Sequence, residues 1–338
     1  MKLSNNNPFI IAEIGVNHNG KVSLAKKLID KLSSINVSAV KLQYFKASDL
    51  VTKEAKSAPY QRKNNYVSQF DMLKSLELNI EEILELKKYA SKKNIEFLCS
   101  FFDHENLKKY INLLNLKYIK IPSGEINNTP YLQKISSLNK KVLLSTGMAT
   151  LKEINYALNL LIKGGTNKKK ITLLQCTSSY PVNDKEVNIN NLISLKNKFK
   201  TNIGFSDHSI GSSSAMLALA LGSTVFEKHV TLNKKMKGPD HKASSNIQEF
   251  KKYVEDLKKA QSLLGSTEKK LTKSEKANIF FVRKSIVAKT DISKNDKFTV
   301  ENITLKRPAR GLSPLKWHKV LNRKAKKKFL KGEIIRID

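Results

Sequence analysis

Short apolar runs rich in β-branched residues alternate with helix-period stretches through residues 9–264, and this alternation leaves few folds open. The runs are Phe9–Ile14, Ala39–Phe45, Glu96–Phe102, Tyr118–Ile121, Lys141–Thr146, Ile171–Thr177, Ile203–Asp207 and Thr224–Val230. Between them lie helical stretches such as Ser23–Ile35, Ile80–Lys93, Glu105–Leu114, Leu151–Ile162, Ser213–Leu221 and Gln248–Leu264. The first of these repeats Leu24, Leu28, Ile29 and Leu32 at helical spacing. Strands that are apolar throughout belong to parallel sheets covered by helices on both faces. Eight such units within residues 1–265 predict a (β/α)8 barrel, with a doubly wound open sheet as the other arrangement.

One connection is long, from Lys46 to Asn79, and its segment Ser57-Ala-Pro-Tyr-Gln61 reads as loop. After Gly265 the chain turns polar and charged, which predicts a linker over 266–278. A small domain over 279–338 follows. In it, Ser285–Ala288 and Ile303–Lys306 read as strands, 292–297 as a turn, Val300–Ile303 as a short helix and Arg307–Leu312 as a loop.

The net charge of +33 raises the question of a polyanionic partner. The excess is lysine, however, and only Arg62, Arg283, Arg307, Arg310, Arg323 and Arg336 are arginines. Base and phosphate readers favour arginine forks and stacking aromatics, so specific nucleic-acid binding is not expected. No apolar run approaches the roughly 20 residues that span a bilayer. The polar start, Met1 to Asn7, shows no signal-peptide pattern. Cys99 and Cys176 each sit inside an apolar run and read as buried free thiols. A cytoplasmic setting is the expectation.

Active sites of such barrels lie at the carboxyl ends of the strands. All eight strand ends here carry polar groups. The first ends Glu13-Ile-Gly-Val-Asn17-His18-Asn19-Gly20; the second carries Lys41 and Gln43, on one face. Ser100 ends the third, Lys120-Ile-Pro-Ser123-Gly-Glu125 the fourth and Ser145-Thr-Gly147 the fifth. The sixth ends Cys176-Thr-Ser178-Ser-Tyr180, the seventh Ser206-Asp-His208, and the eighth carries Glu227-Lys-His229. Two histidines on adjacent strands are metal-ligand types, and the metal could polarise a carbonyl. Lys41 and Lys120, with serines 100, 123 and 145, suit a phosphate or carboxylate. Glu13 and Glu125 are candidates for proton transfer or for binding sugar hydroxyls.

These residues resemble a known family. Ala12-Glu-Ile-Gly-Val-Asn-His-Asn-Gly20, Lys41-Leu-Gln43, Pro122-Ser-Gly-Glu125-Ile-Asn-Asn128 and Leu144-Ser-Thr-Gly-Met148 are similar to the N-acetylneuraminate (sialic acid) synthase family. So are Cys176-Thr, Gly204-Phe-Ser-Asp-His208, Glu227-Lys-His229 and Gly238-Pro-Asp-His-Lys-Ala-Ser244. The C-terminal part resembles that family's antifreeze-like (SAF, β-clip) domain. The resemblance implies a TIM barrel followed by that domain. It implies condensation of phosphoenolpyruvate with an N-acetylated amino sugar and release of phosphate. N-acetylmannosamine is the expected sugar; a 2,4-diacetamido-trideoxy hexose, giving N,N'-diacetyllegionaminate, is the alternative. A pseudaminate synthase is not expected.

By the same resemblance, His208 and His229 hold a divalent metal, Mn²⁺ before Mg²⁺ or Co²⁺. Lys41, Lys120, Ser123, Ser145 and Ser206 cradle phosphoenolpyruvate, with Ser100 in place of a family Thr. Glu13, Gln43, Tyr180 and Asp240 lie near the sugar, and Glu125 matches an essential carboxylate. Family members are homodimers in which the C-terminal domain covers the partner's barrel, and an arginine reaches the acetamido group across the interface. Arg307 is the first choice for it and Arg310 the second. Gln175, Ser178 and Phe101 depart from the family's His, Asn and Pro. The substrate-contact set keeps Ser178, because a hydroxyl still offers one hydrogen bond. Two rival readings remain: a Schiff-base aldolase on the same barrel with Lys120 as nucleophile, and a binding module without catalysis, for polyanions or carbohydrate, built on the basic C-terminal domain.

Overall fold

A computed structural model describes residues 7–55 and 68–337. The loop expected at Ser57–Gln61 lies outside the described residues. The chain divides into two compact units between Gly265 and Ser266.

The first unit is the barrel. Its strands are β1 (Phe9–Gly15), β2 (Ala39–Tyr44), β3 (Glu96–Phe101), β4 (Tyr118–Ile121), β5 (Lys141–Ser145), β6 (Ile171–Gln175), β7 (Asn202–Asp207) and β8 (Val225–Thr231). They pair in parallel in the order β3-β2-β1-β8-β7-β6-β5-β4. Because β1 pairs with both β2 and β8, the sheet wraps on itself, and the doubly wound alternative is excluded. A two-residue strand, β9 (Ser245–Asn246), adds in parallel to the end of β8.

The helices are α1 (Val22–Ser33), α2 (Ala47–Leu50), α3 (Gln69–Lys74), α4 (Ile80–Lys92), α5 (Leu107–Leu113), α6 (Thr129–Ser136), α7 (Leu151–Lys163), α8 (Asn191–Phe199), α9 (Ser213–Ala220) and α10 (Ile247–Leu264). Among its described residues, the long connection from Lys46 to Asn79 holds two short helices, α2 and α3. Helices α4, α7 and α10 each begin with a complete capping box, Asn79/Glu82, Thr150/Glu153 and Asn246/Glu249. Asn36, Asn94, Asn115 and Asn139 follow α1, α4, α5 and α6 in left-handed conformation, with φ between 43° and 58°. Asparagine is the residue besides glycine that tolerates this end-of-helix geometry. Part of the asparagine excess therefore closes the helix-to-strand turns.

Ile11, Ala39, Leu98, Leu143, Leu174 and Val225 fill the lower barrel interior. A larger apolar layer, including Leu28, Leu86, Tyr131, Leu161 and Phe250, lies between sheet and helices. The interior polar groups sit above the lower plug, at the carboxyl ends. Cys99 and Cys176 are buried free thiols, as expected. Among the described residues no helix is long and apolar enough to cross a membrane.

The second unit starts with a helix inside the expected linker. This is α11 (Lys273–Val282), started by a Thr272/Glu275 capping box. Antiparallel β10 (Ser285–Ala288) and β11 (Ile303–Lys306) fall where the sequence predicts them. The helix predicted over Val300–Ile303 is instead a single turn that leads into β11. Asn302 and Ile303 donate to the Thr299 carbonyl, and Ile303 then pairs with Ala288. A short α12 (Trp317–Val320) follows. Ile286, Ile292, Phe298, Ile303, Val320, Phe329 and Ile335 make this unit's own core. Ser285 Oγ donates to Pro308 O and accepts from Gly311 N, which anchors the loop that carries Arg307.

Candidate active site

Strand register sets the polar groups on common levels. Glu13 of β1 lies opposite Lys41 of β2 and His229 of β8. One step below, Glu227 of β8 lies opposite Ile11 of β1 and Ser206 of β7. A cavity of about 460 Å³ opens above these levels, a size that holds small metabolites. Glu13, Lys41, Gln43, Lys120, Ser123, Ser145, Ser178, Tyr180, Ser206, His208 and His229, all expected from the sequence, line it.

At its floor two lysines meet two carboxylates. Lys41 Nζ is 2.8 Å from Glu13 Oε2 and 3.7 Å from Glu227 Oε2; Lys120 Nζ is 3.3 Å from Glu227 Oε1. All four are nearly inaccessible to solvent. Burial opposes the charge on Lys41, but Glu13 and Glu227 outweigh it and raise its pKa. Burial likewise opposes charge on Glu227, yet Lys120 and Lys41 bring it down to about 2. Burial lowers the pKa of Lys120, with Glu227 opposing. Glu13 is the weaker anion, pushed up by burial and by the charge on Glu227. A buried ion cluster is costly unless complete, so the lysines are held ready for an anion by their own carboxylates. Gln43 Nε2 donates to Glu13 Oε1, and Ser206 Oγ donates to Glu227 Oε1.

The imidazole pair sits at one side. Its ring centroids are 5.8 Å apart, and Tyr180 packs against both, tilted over His208 and edge-on to His229. His208 Nδ1 donates to the Thr177 carbonyl at 2.7 Å, which leaves Nε2 with its lone pair. His229 Nδ1 is buried without a hydrogen bond and 3.9 Å from Asp240 Oδ2. Burial keeps both rings neutral, His208 at about 4 and His229 well below the usual histidine range. Burial, then the charge of Glu13, raises Asp240 to about 7. Neutral imidazoles with a carboxylate at hand fit a borderline divalent cation. Among the described residues no three His, Cys, Asp or Glu side chains group to hold a metal by themselves, so the remaining ligands would be water or substrate.

The opposite wall is built of hydroxyls. Gly147 N donates to Ser123 Oγ at 3.0 Å, and Cys176 Sγ lies 3.3 Å from the same oxygen. A Cβ at Gly147 would sit 2.4 Å from Ser178 Oγ and 2.8 Å from Ser123 Oγ, so only glycine lets the two hydroxyls close in here.

Four expected residues do not line the cavity. Ser100 stands behind Lys41, which donates to its hydroxyl at 3.4 Å. Glu125 accepts from Asn128 Nδ2 and lies 4.0 Å from His104 Nε2. Asp240 stands behind His229. Arg307 belongs to the second unit and is exposed, while the Arg310 guanidinium lies over the Phe280 ring. Conversely, Glu227, Phe102, Met148 and Cys176 line the cavity without having been assigned a role from the sequence.

Comparison with known proteins places the two units in known families. Residues 28–269 match the NeuB family model, and residues 283–338 match the SAF domain. An N,N'-diacetyllegionaminic acid synthase of Campylobacter jejuni is 49% identical over 97% of this chain and 98% of its own. A Legionella pneumophila protein of the same name is 40% identical over 90% of this chain and 87% of its own. The solved N-acetylneuraminic acid synthetase of Leptospira borgpetersenii, in complex with citrate, superposes with a TM-score of 0.73 at 31% identity, covering 82% of this chain and 91% of that one.

Proposed function

The chain belongs to the NeuB family and is an enzyme of nonulosonic acid synthesis; we propose that it is an N,N'-diacetyllegionaminate synthase, acting as a cytoplasmic homodimer. It joins phosphoenolpyruvate to a 2,4-diacetamido-trideoxy hexose. The carrying observation is the single cavity that combines two buried lysines and a hydroxyl wall with a pair of neutral histidines. The first half suits a phosphate and carboxylate, the second a sugar aldehyde. The names of the two curated relatives favour the diacetamido sugar over N-acetylmannosamine, which reverses the order expected from the sequence.

Lys41 and Lys120 bind the anionic groups of phosphoenolpyruvate, Ser123, Ser145 and Ser178 donate to its oxygens, and Ser206, whose proton goes to Glu227, lines the same site. Ser100 holds Lys41 in place. His208 and His229 hold the divalent metal, Mn²⁺ by preference, which when bound polarises the open-chain aldehyde. C3 of phosphoenolpyruvate forms a bond to the aldehyde carbon, whose oxygen takes up a proton. Water adds at C2, and the bond from C2 to the bridging oxygen breaks as phosphate leaves. Glu13, Gln43 and Tyr180 face the sugar, and Asp240 acts on it from behind His229, 3.9 Å from that ring. Glu125, turned toward Asn128 and His104, lies outside the cavity and takes no direct part in the proton transfers. Arg307 of the partner subunit reads an acetamido group.

Phosphoenolpyruvate labelled with ¹⁸O at the bridging position tests the reaction class. Label recovered in phosphate, and only when the sugar is present, supports the reading; label retained in the sugar acid overturns it.

A further inference from the structure

Two of the sequence motifs contribute little to the cavity itself. They are Asn17-His-Asn-Gly20 after β1 and Gly238-Pro-Asp-His-Lys-Ala-Ser244 after β8. Asn17 and Asn19 of the first motif instead bond to Ser244 and His241 of the second. Asn17, 1% exposed, donates from Nδ2 to Val230 O and to Ser244 Oγ, both at 2.8 Å. Ser244 Oγ in turn donates to the Asp240 carbonyl at 2.7 Å. One amide therefore ties the end of β1 to the end of β8 and to the turn that bears Asp240.

His241, wholly buried beside that carboxylate in sequence, forms a second tie. Asn19 Nδ2 donates to Lys237 O, so its Oδ1 must accept, and the donor is His241 Nε2–H at 3.0 Å. His241 Nδ1 then accepts from the Thr231 hydroxyl at 2.6 Å, and the Thr231 oxygen accepts from Asn233 N at 3.2 Å. The Thr231 proton has a second acceptor in reach, Asn233 O at 3.2 Å, but with Nε2 protonated and the ring neutral Nδ1 is the acceptor at the shorter distance. Burial lowers the His241 pKa to about 4, in keeping with that tautomer. The loop passes close over the tie. Gly238 has φ of +148°, and a Cβ there would lie 2.6 Å from the His241 ring and 2.8 Å from Asn19 Oδ1.

Resting on the assignment of Asp240 to the amino sugar, we propose that Asn17 and His241 are positioning residues that fix the Asp240 carboxylate beside His229 before the sugar arrives. They touch no reacting atom. The bonds of Asn17 and the bond between Thr231 and His241 are buried, and a buried network holds its geometry more firmly than a solvated one. Displacing a positioned group by an ångström is worth up to about a hundredfold in rate or affinity.

The test uses the full-length protein and separate Michaelis constants for the two substrates. Asn17→Asp keeps the shape but removes both donors; His241→Leu removes the second tie. Each is expected to raise the sugar KM roughly tenfold to a hundredfold, as Asp240→Asn does, while the phosphoenolpyruvate KM stays within about twofold. His241→Gln, which restores a donor toward Asn19, is expected to recover most of the loss. A merely structural role would lower thermal stability and move both constants together, and that result overturns the proposal. If Asp240→Asn raises the sugar KM while Asn17→Asp and His241→Leu leave it at the wild-type value, the ties are wrong and the assignment of Asp240 stands. If Asp240→Asn itself leaves the sugar KM unchanged, the assignment fails and the proposal with it. Should Asn17→Asp not fold, Ser244→Ala removes the hydroxyl that accepts from Asn17 and donates to the Asp240 carbonyl, and is read in the same way.

Discussion

Replacing Gly147 by alanine isolates the hydroxyl wall. The added Cβ would lie 2.4 Å from Ser178 Oγ, 2.8 Å from Ser123 Oγ and 3.1 Å from Cys176 Sγ. The first two distances are shorter than real contacts, so both serines must rotate. Gly147 has no positive φ, hence alanine's backbone is unstrained and the cost falls on the side chains. A hydrogen bond to a charged group is worth about 1.5–3 kcal/mol. With about 1.4 kcal/mol per factor of ten, losing one such bond to the phosphate weakens binding by roughly 10- to 150-fold. Steady-state phosphate release at saturating sugar reads this as a raised phosphoenolpyruvate KM, and a thermal melt checks that the fold is intact. In a Ser178→Ala background the closest contact is gone, so the same glycine change costs less and the pair is non-additive. A wild-type phosphoenolpyruvate KM in a folded Gly147→Ala protein would refute the assignment of Ser123 and Ser178 to the phosphate.

Exhaustive chelation is expected to abolish phosphate release and Mn²⁺ to restore it, with His208→Ala or His229→Ala requiring far more metal; unchanged turnover after chelation contradicts the metal assignment. Stability is expected to fall in mild acid. Burial holds His18, His208 and His241 at about 4, below the 6.5 of an open chain, so the unfolded state binds the extra protons. Their contribution is complete above pH 6.5 and is lost as the pH falls toward about 4, at about 1.4 kcal/mol per pH unit for each such group. Urea midpoints that do not move between about pH 7 and pH 4.5 would contradict this.

The eight strands are readable because each is continuously apolar and ends in polar residues, and barrel logic turns those ends into one site. Glu227 is equally readable. It stands two residues before His229 in a strand, so it shares that residue's face, and it belongs to the strand-end set without a role of its own. The Thr272-x-x-Glu275 capping box that starts α11 is likewise present in the sequence, although the charged residues around it resemble linker. What the sequence does not carry is the partner of each polar group. Asn17 meets Ser244 across 227 positions, and only the closure of the barrel brings them together. The same holds for Glu125. Its motif suggests the cavity, while Asn128, one turn on, draws its carboxylate aside.

The identity of the sugar is the central claim, and specificity constants decide it. Phosphate release is measured with phosphoenolpyruvate and each of two sugars, the 2,4-diacetamido-trideoxy hexose and N-acetylmannosamine. The proposed function requires a higher kcat/KM for the diacetamido sugar, by about ten- to a hundredfold if one buried hydrogen bond worth about 1–3 kcal/mol discriminates. A higher kcat/KM for N-acetylmannosamine would contradict it and return the chain to neuraminate synthesis.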